Sequence, residues 1–223
     1  MYAVANQKGG VGKTTTAVNV GACLAEAGER VLLVDLDPQA NATSGLGERA
    51  NGSSSFDLLD GASVVELAAQ TRFENLELIP ARTDLASAAA SLALRGDAEQ
   101  YLVAALRPAA SQYPFIFLDC PPSLGPLTVN ALAAADRVLV PVQAEYYALE
   151  GVAQILSSIE AVRARLNPRL TLAGVLLTMV DGRTRLSSDV SAELERHFGP
   201  LLFSAPIARP LDAATFSSSC LVR

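Results

Sequence analysis

Histidine occurs once in this chain, at position 197, and cysteine three times, at positions 23, 120 and 220. One imidazole cannot furnish a multi-histidine metal site, and His197 reads as part of the solvated face of a late helix rather than as a ligand or a triad member. The scattered Cys23, Cys120 and Cys220 give neither a disulfide framework nor zinc-type spacing, so each reads as a small buried or incidental residue. No apolar run approaches the roughly 18 residues that a membrane span requires, and no charged n-region precedes the first apolar residues. A cytoplasmic protein is therefore expected. Positive charge is also scarce. With 17 Lys and Arg against 23 Asp and Glu, the net charge is −6 and the isoelectric point near 4.8. That excludes a surface basic all round, so any nucleic-acid contact must be local, through a few Arg or Lys on one face.

What is present is an apolar chain of 223 residues, 50% hydrophobic and 18% charged, enough to bury the core of one α/β domain. Its organising stretch is Asn6-Gln-Lys-Gly-Gly-Val-Gly-Lys-Thr-Thr15, set between an apolar strand at 2–5 and a helix-forming run from Lys13. Gly9, Gly10 and Gly12 permit backbone conformations that a Cβ obstructs, so successive N–H groups can turn inward around a phosphate chain. The helix adds its unpaired N–H groups and the positive end of its dipole. Lys13 is placed to reach the β- and γ-phosphates and the Thr14 hydroxyl to ligate Mg²⁺, as in the P-loop pattern G-x-x-x-x-G-K-[ST]. The strict pattern fails at one position, where Gln7 stands for its first glycine and an additional Lys8 precedes Gly9.

The form KGGVGKTT resembles the deviant Walker A loop of the ParA/MinD group of P-loop ATPases. The resemblance implies that Lys8, Gly9, Gly10, Val11, Gly12, Lys13, Thr14 and Thr15 bind ATP or ADP, and that Lys8 reaches the partner subunit's nucleotide across a sandwich dimer. Lys8 and Lys13 are then catalytic candidates.

Downstream, Val31–Val34 is apolar on both faces, the mark of a strand inside a parallel sheet, and with the preceding helix it completes a βαβ unit. It ends in Asp35-Leu-Asp-Pro-Gln-Ala-Asn-Ala-Thr43, where ligands of open α/β sheets gather. Asp37 is suited to orient the attacking water or a magnesium-bound water. For Asp35 two readings stand, a capping carboxylate and a supporting role in the site. DLDPQANATSGLG resembles the second ATPase motif of ParA/Soj proteins, with Ala40 in place of the usual glycine, and that resemblance assigns hydrolysis to Asp37.

Residues 48–55 read as a surface loop, 56–70 as one or two short helices broken by Gly61, 76–79 as a strand, and 85–94 and 100–106 as helices. Phe115-Ile-Phe-Leu-Asp119 is an apolar strand that delivers one carboxylate, the Walker B arrangement, so Thr14, Asp37 and Asp119 are the magnesium candidates. A further buried strand at 136–142 leads into Gln143-Ala-Glu-Tyr-Tyr-Ala-Leu-Glu-Gly151. VPVQAEYYALEG resembles the ParA/Soj branch in particular. Tyr146 and Tyr147 pack between sheet and helix on one reading and face a second subunit on the other. A long helix at 149–166 and a strand at 170–179 follow. In related P-loop proteins the next loop lies near adenine, which makes Met179 and Asp181 candidates for base recognition. Arg183 and Arg185 are either ordinary solvated charges or, for Arg183, the counterpart of an arginine by which ParA/Soj dimers hold DNA without sequence preference. A helix at 186–198 and a strand near 201–203 come next.

After residue 203 the resemblance breaks; only Ile207 and Arg209 match the family's IPRNVRLSEAPS-like motif, Arg209 being a second DNA-binding candidate. The expected organisation is a ParA-type P-loop ATPase domain over 1–203 and a divergent or truncated tail over 204–223, with a mostly parallel, doubly wound sheet covered by helices on both faces. The resemblance implies a cytoplasmic, nucleoid-associated, Mg²⁺-dependent ATPase of chromosome or plasmid partition, slow without its partner. Its implied partners are a second copy of itself, nonspecific double-stranded DNA and a ParB/Spo0J-like protein that stimulates hydrolysis. Two alternatives stand beside it: a MinD-like membrane-cycling ATPase, and a nucleotide-binding regulator with little turnover.

Overall fold

The computed structural model describes residues 1–92, 100–146 and 148–208. Tyr147, Arg209 and Cys220 lie outside them. Among the described residues, seven strands form one sheet in the order β3-β4-β2-β5-β1-β6-β7. They are β1 (Tyr2–Val4), β2 (Val31–Asp35), β3 (Ala69–Gln70), β4 (Leu76–Ile79), β5 (Phe115–Asp119), β6 (Arg137–Gln143) and β7 (Thr171–Thr178). All neighbouring pairs are parallel except β3 with β4. β1 lies between β5 and β6, so the loop that leaves β1 rises at the centre of the sheet's carboxyl edge.

Alternation along each strand sorts side chains onto the two faces. Val31 and Leu33 join Val4, Leu78, Phe117 and Leu139 under α1 (Lys13–Glu26) and α2 (Asn41–Gly45). Leu32 and Val34 join Ala3, Ile116, Leu118, Val138 and Val140 on the opposite face. There they meet α3 (Ser55–Leu59), α4 (Val64–Leu67), α5 (Leu85–Leu92), α6 (Tyr101–Leu106), α7 (Pro126–Ala134), α8 (Ala148–Arg165) and α9 (Arg185–Phe198). Doubly apolar strands thus require cover on both sides, as the sequence implies.

Local chemistry sets the helix ends. α1 closes on Gly28 at φ 92°, whose N–H donates to Ala25 O while the Glu29 N–H donates to Leu24 O. This is a Schellman close that satisfies two terminal carbonyls. α3 opens with a capping box between Ser54 and Asp57. α8 buries Val152, Ile155, Ile159 and Val162 along one stripe. His197 is exposed on α9, its Nδ1 against Glu193 O at 2.9 Å, in agreement with a solvated face. Cys23 is exposed and Cys120 buried.

Two expectations need correction. Residues 56–70 contain α3, α4 and also the short strand β3. No strand forms at 201–203; a 3₁₀ turn at Gly199–Leu201 is followed by single parallel bridges, Val175 to Leu202 and Val180 to Ala208. This segment still lies along the outer edge of β7, with the Phe203 N–H donating to Val175 O and the Ile207 N–H to Leu177 O. It fits because position 174 is glycine: a Cβ there would come within 2.6 Å of the Phe203 ring.

Candidate nucleotide-binding site

Four of the strand ends at the carboxyl edge carry candidate groups. Those of β1, β2, β5 and β7 carry the glycine loop, Asp35 with Asp37, Asp119, and Thr178 with Met179. Register brings the carboxylates together, since Asp35 pairs with Asp119 across β2 and β5, and Val4 pairs with Asp119 across β1 and β5.

The loop has the conformation that its glycines allow. Gly10 and Gly12 adopt φ values of 75° and 85°, and Gly12 leads directly into α1. A Cβ on Gly12 would stand 3.5 Å from Thr178 Cγ2, an ordinary contact, so the need for glycine there is conformational rather than steric. Thr178 ties the loop to β7 through a 2.8 Å hydrogen bond from its hydroxyl to Val11 O. Asn6, 4% exposed, braces the loop's start: its Nδ2 donates to Pro141 O at 2.7 Å and its Oδ1 accepts from the Lys8 N–H at 3.1 Å. The Lys13 ammonium turns back into the loop and donates to Lys8 O at 3.0 Å. Burial pushes the Lys13 pKa down, against the attraction of Asp119, Cys120 and Asp37.

The three aspartates have different environments. Asp35 is fully buried and accepts from the Thr43 N–H at 2.9 Å, the Thr43 hydroxyl at 2.7 Å and the Asp37 N–H at 3.1 Å. It therefore caps the first turn of α2 and at the same time shapes the turn that presents Asp37, so both of its readings have a contact behind them. Burial raises its pKa even so. Asp37 is 6% exposed and accepts the Gln39 N–H at 2.9 Å through Oδ1. Three residues after Asp37, at the N-cap of α2, Ala40 takes the left-handed conformation, φ 53° and ψ 39°. The glycine that the resemblance leads one to expect there matches this conformation, which alanine adopts at a cost of roughly 1–2 kcal/mol.

Asp119 has neither exposure nor a hydrogen-bond donor: both carboxylate oxygens are buried without a partner. Burial and the neighbouring charge of Asp35 push its pKa up to about 8; the Thr14 hydroxyl and, less strongly, the Lys13 ammonium draw it back, although the Thr14 contact falls short of good hydrogen-bond geometry. Unpaired buried carboxylate oxygens cost several kcal/mol unless a cation or donor joins them. Among the described residues no group of three His, Cys, Asp or Glu side chains is disposed to hold a metal alone. A site of one or two carboxylates and a hydroxyl suits Mg²⁺, which keeps waters and takes phosphate oxygens as its other ligands.

The remaining candidates surround this centre. Lys8 forms an ion pair with Glu145, on the turn between β6 and α8. Tyr146 beside it is 80% exposed, which removes the packing reading for that side chain. Met179 bends the chain at the end of β7 with φ 54°. The Asp181 carboxylate accepts from Arg183 through Nε and Nη2, both at 2.9 Å, so Arg183 is solvent-facing but paired. Arg185 is nearly fully exposed, 3.8 Å from Asp189. Asn6, Thr43, Thr178 and Glu145 are the site residues that sequence reasoning did not single out. A separate cavity of about 510 Å³ lies at the opposite, amino edge of the sheet, beside Met1, Arg107, Asp136 and Arg165. It is remote from the strand ends where this chemistry converges. Among the described residues no helix is long and apolar enough to cross a membrane.

Comparison with known proteins places this geometry among nucleotide-binding relatives. A family described as "AAA domain" matches residues 1–172. The chromosome-partitioning ATPase Soj of Thermus thermophilus is 56% identical over 212 residues, covering 95% of this chain and 82% of its own. The sporulation initiation inhibitor protein Soj of Bacillus subtilis is 50% identical over 212 residues, covering 94% and 84%. A solved Mycobacterium smegmatis structure, described as cobyrinic acid a,c-diamide synthase with bound ADP and magnesium, superimposes with a TM-score of 0.86 at 43% identity, covering 95% of this chain and 87% of that one.

Proposed function

The chain belongs to the ParA/Soj family of chromosome-partitioning ATPases, and from that membership we propose that it couples ATP hydrolysis to a cycle of self-association and DNA attachment. Its cofactors are ATP or ADP with Mg²⁺, the ligands of one solved relative being ADP and magnesium. The observation that carries the nucleotide reading is Asp119: two buried, unpartnered carboxylate oxygens at the end of β5, beside the helix that begins at Lys13-Thr14.

Lys8 to Thr15 form the phosphate cradle, with the N–H groups of Gly10 to Thr14 and the start of α1 turned to the anion. Lys13 exchanges its bond to Lys8 O for phosphate oxygens. The Thr14 hydroxyl and Asp119 would hold Mg²⁺, and Asp37 would take one of its waters or the attacking water. Bound magnesium supplies charge neutralisation on the phosphates during transfer. Asp37 orients the nucleophile, and the Asp35–Thr43 cap fixes the turn on which Asp37 stands. Met179 and Asp181 flank the base, the Met179 backbone more directly, since Arg183 already engages the Asp181 carboxylate.

Closure of two copies face to face, with Lys8 of each at the other's phosphates, follows the family's deviant loop; exposed Tyr146 on the neighbouring turn supports that face. Differential affinity of ATP for the dimer drives closure. Arg183, with Arg209 outside the described residues, supplies nonspecific DNA contacts on the nucleoid in the cytoplasm. A ParB/Spo0J-like partner accelerates an otherwise slow turnover and releases the dimer. On this reading residues 1–203 are the ATPase domain and 204–223 the divergent tail. The higher identity to the Soj proteins than to the synthase favours partition.

The test is isothermal titration with Mg-ATP beside phosphate release, in wild type and Asp37→Ala. Binding is expected in both and turnover in wild type alone. Equal turnover would overturn the role of Asp37, and absence of binding in wild type would overturn the nucleotide reading itself.

A further inference from the structure

The chain contains only two lysines, Lys8 and Lys13, and both lie in the glycine loop. They are committed differently. Lys13 is 6% exposed and donates to a loop carbonyl, so it faces inward. The Lys8 side chain is 45% exposed and its ammonium is paired with the carboxylate of Glu145, 137 residues away in sequence. Lys8 is thus the one lysine able to reach outward from the loop.

Its backbone is not free to do so. Asn6 holds the Lys8 N–H and anchors in turn on Pro141 O of β6, and Lys13 holds Lys8 O. Once Lys13 has turned to phosphate, Asn6 still holds the Lys8 N–H, so it is chiefly the Lys8 side-chain torsions that carry the ammonium from one anion to another. Glu145 is likewise fixed at its backbone, its N–H donating to Gln143 O at 2.8 Å and its carbonyl accepting from Ala148 N at 2.9 Å where α8 begins. A carboxylate and a phosphate compete for the same compact ammonium, which makes one close charge-assisted contact at a time.

We propose that Glu145 is a positioning residue for Lys8: its carboxylate holds the ammonium on its own subunit in the free chain and yields it to the nucleotide phosphates of a second copy when the dimer closes. The inference rests on the dimer reading above and adds to it the group that Lys8 must leave. Two such pairs open per dimer, so part of the ATP-driven closure is spent on breaking them. Because each pair is partly exposed, the penalty is modest, and removing it tightens the ATP dimer by on the order of tenfold.

The experiment uses the full chain in wild type, Glu145→Gln and Glu145→Ala. Dimer dissociation constants are measured by sedimentation with ATP under non-turnover conditions. In parallel, ¹³C,¹⁵N-lysine labelling yields side-chain signals from Lys8 and Lys13 alone. Both variants are expected to dimerise about tenfold more tightly than wild type. In nucleotide-free monomer the Lys8 signal shifts in both variants while that of Lys13 stays, and with ATP the Lys8 signals of all three proteins converge. A merely structural role for Glu145 would not produce that convergence. Unchanged or weaker dimerisation, or a Lys8 signal indifferent to Glu145, overturns the proposal. A wild type that never dimerises with ATP overturns the dimer reading instead, and the Lys8 signal then still decides whether Glu145 holds Lys8.

Discussion

Replacing Asp119 by asparagine removes a charge but keeps the shape of a side chain that is wholly buried without a donor. Its carboxyl rises from an ordinary 3.8 to about 8, first through burial and then through Asp35. Between those values the folded chain keeps a proton that the unfolded chain has lost, so folding stability falls as pH rises from about 4 to about 8. One proton of difference corresponds to a slope of about 1.4 kcal/mol per pH unit. From pH 5 to pH 7, nucleotide-free wild type should therefore lose about 2–3 kcal/mol more stability than Asp119→Asn. Urea denaturation in metal-free buffer at both pH values measures the difference between the two proteins, in which the other ionisable groups largely cancel. Parallel pH dependences would refute the assignment of an unpaired, proton-holding carboxyl at this position. A corollary concerns the ligand. Mg-ATP binding at pH 7 should release close to one proton, read by calorimetry in two buffers of different ionisation enthalpy, because a metal takes the ionised carboxylate.

Thr43→Val removes the hydroxyl that donates to Asp35 and accepts from the Ala81 N–H at 2.9 Å, two buried hydrogen bonds. Urea denaturation should show a loss of about 2–4 kcal/mol. Gly12→Val forces a β-branched side chain into a backbone at φ 85°, and should cost at least about 1–2 kcal/mol and lower ATP affinity measured by titration. Asp37→Ala should keep ATP binding while phosphate release falls by roughly two orders of magnitude, the scale of losing a group that positions a nucleophile.

The parts of the fold that could be read from the chain are those where packing and local propensity agree. Val31–Val34 and Phe115–Leu118 are apolar on both faces, and a strand with two apolar faces has few places to go but the middle of a helix-covered sheet. Ala69–Gln70 was not legible because β3 is two exposed residues with no apolar pattern, formed only by pairing with β4. Leu-Leu-Phe at 201–203 reads as a strand, yet the 3₁₀ turn Gly199–Leu201, with Pro200 inside it, occupies its start and the chain touches β7 only at separated bridges. In the site, the glycine loop, Asp37 and Asp119 were legible because each lies within a short motif. What escaped was set by tertiary proximity: the Lys8–Glu145 pair joins two loops, and Thr178 reaches Val11 O across the sheet's edge. The pairing of Arg183 with Asp181 is local, and two opposite charges two residues apart in a loop were the available signal.

In the proposed cycle, ATP converts this acidic chain into a DNA-binding form through a local basic face. Interferometry on a nonspecific duplex, with ATP, ADP and no nucleotide at two salt concentrations, tests it most directly. Binding is expected with ATP alone and should weaken steeply as salt rises, because the contacts are to phosphates. Equal binding in all three nucleotide states, or none with ATP while ATP affinity is intact, would contradict it.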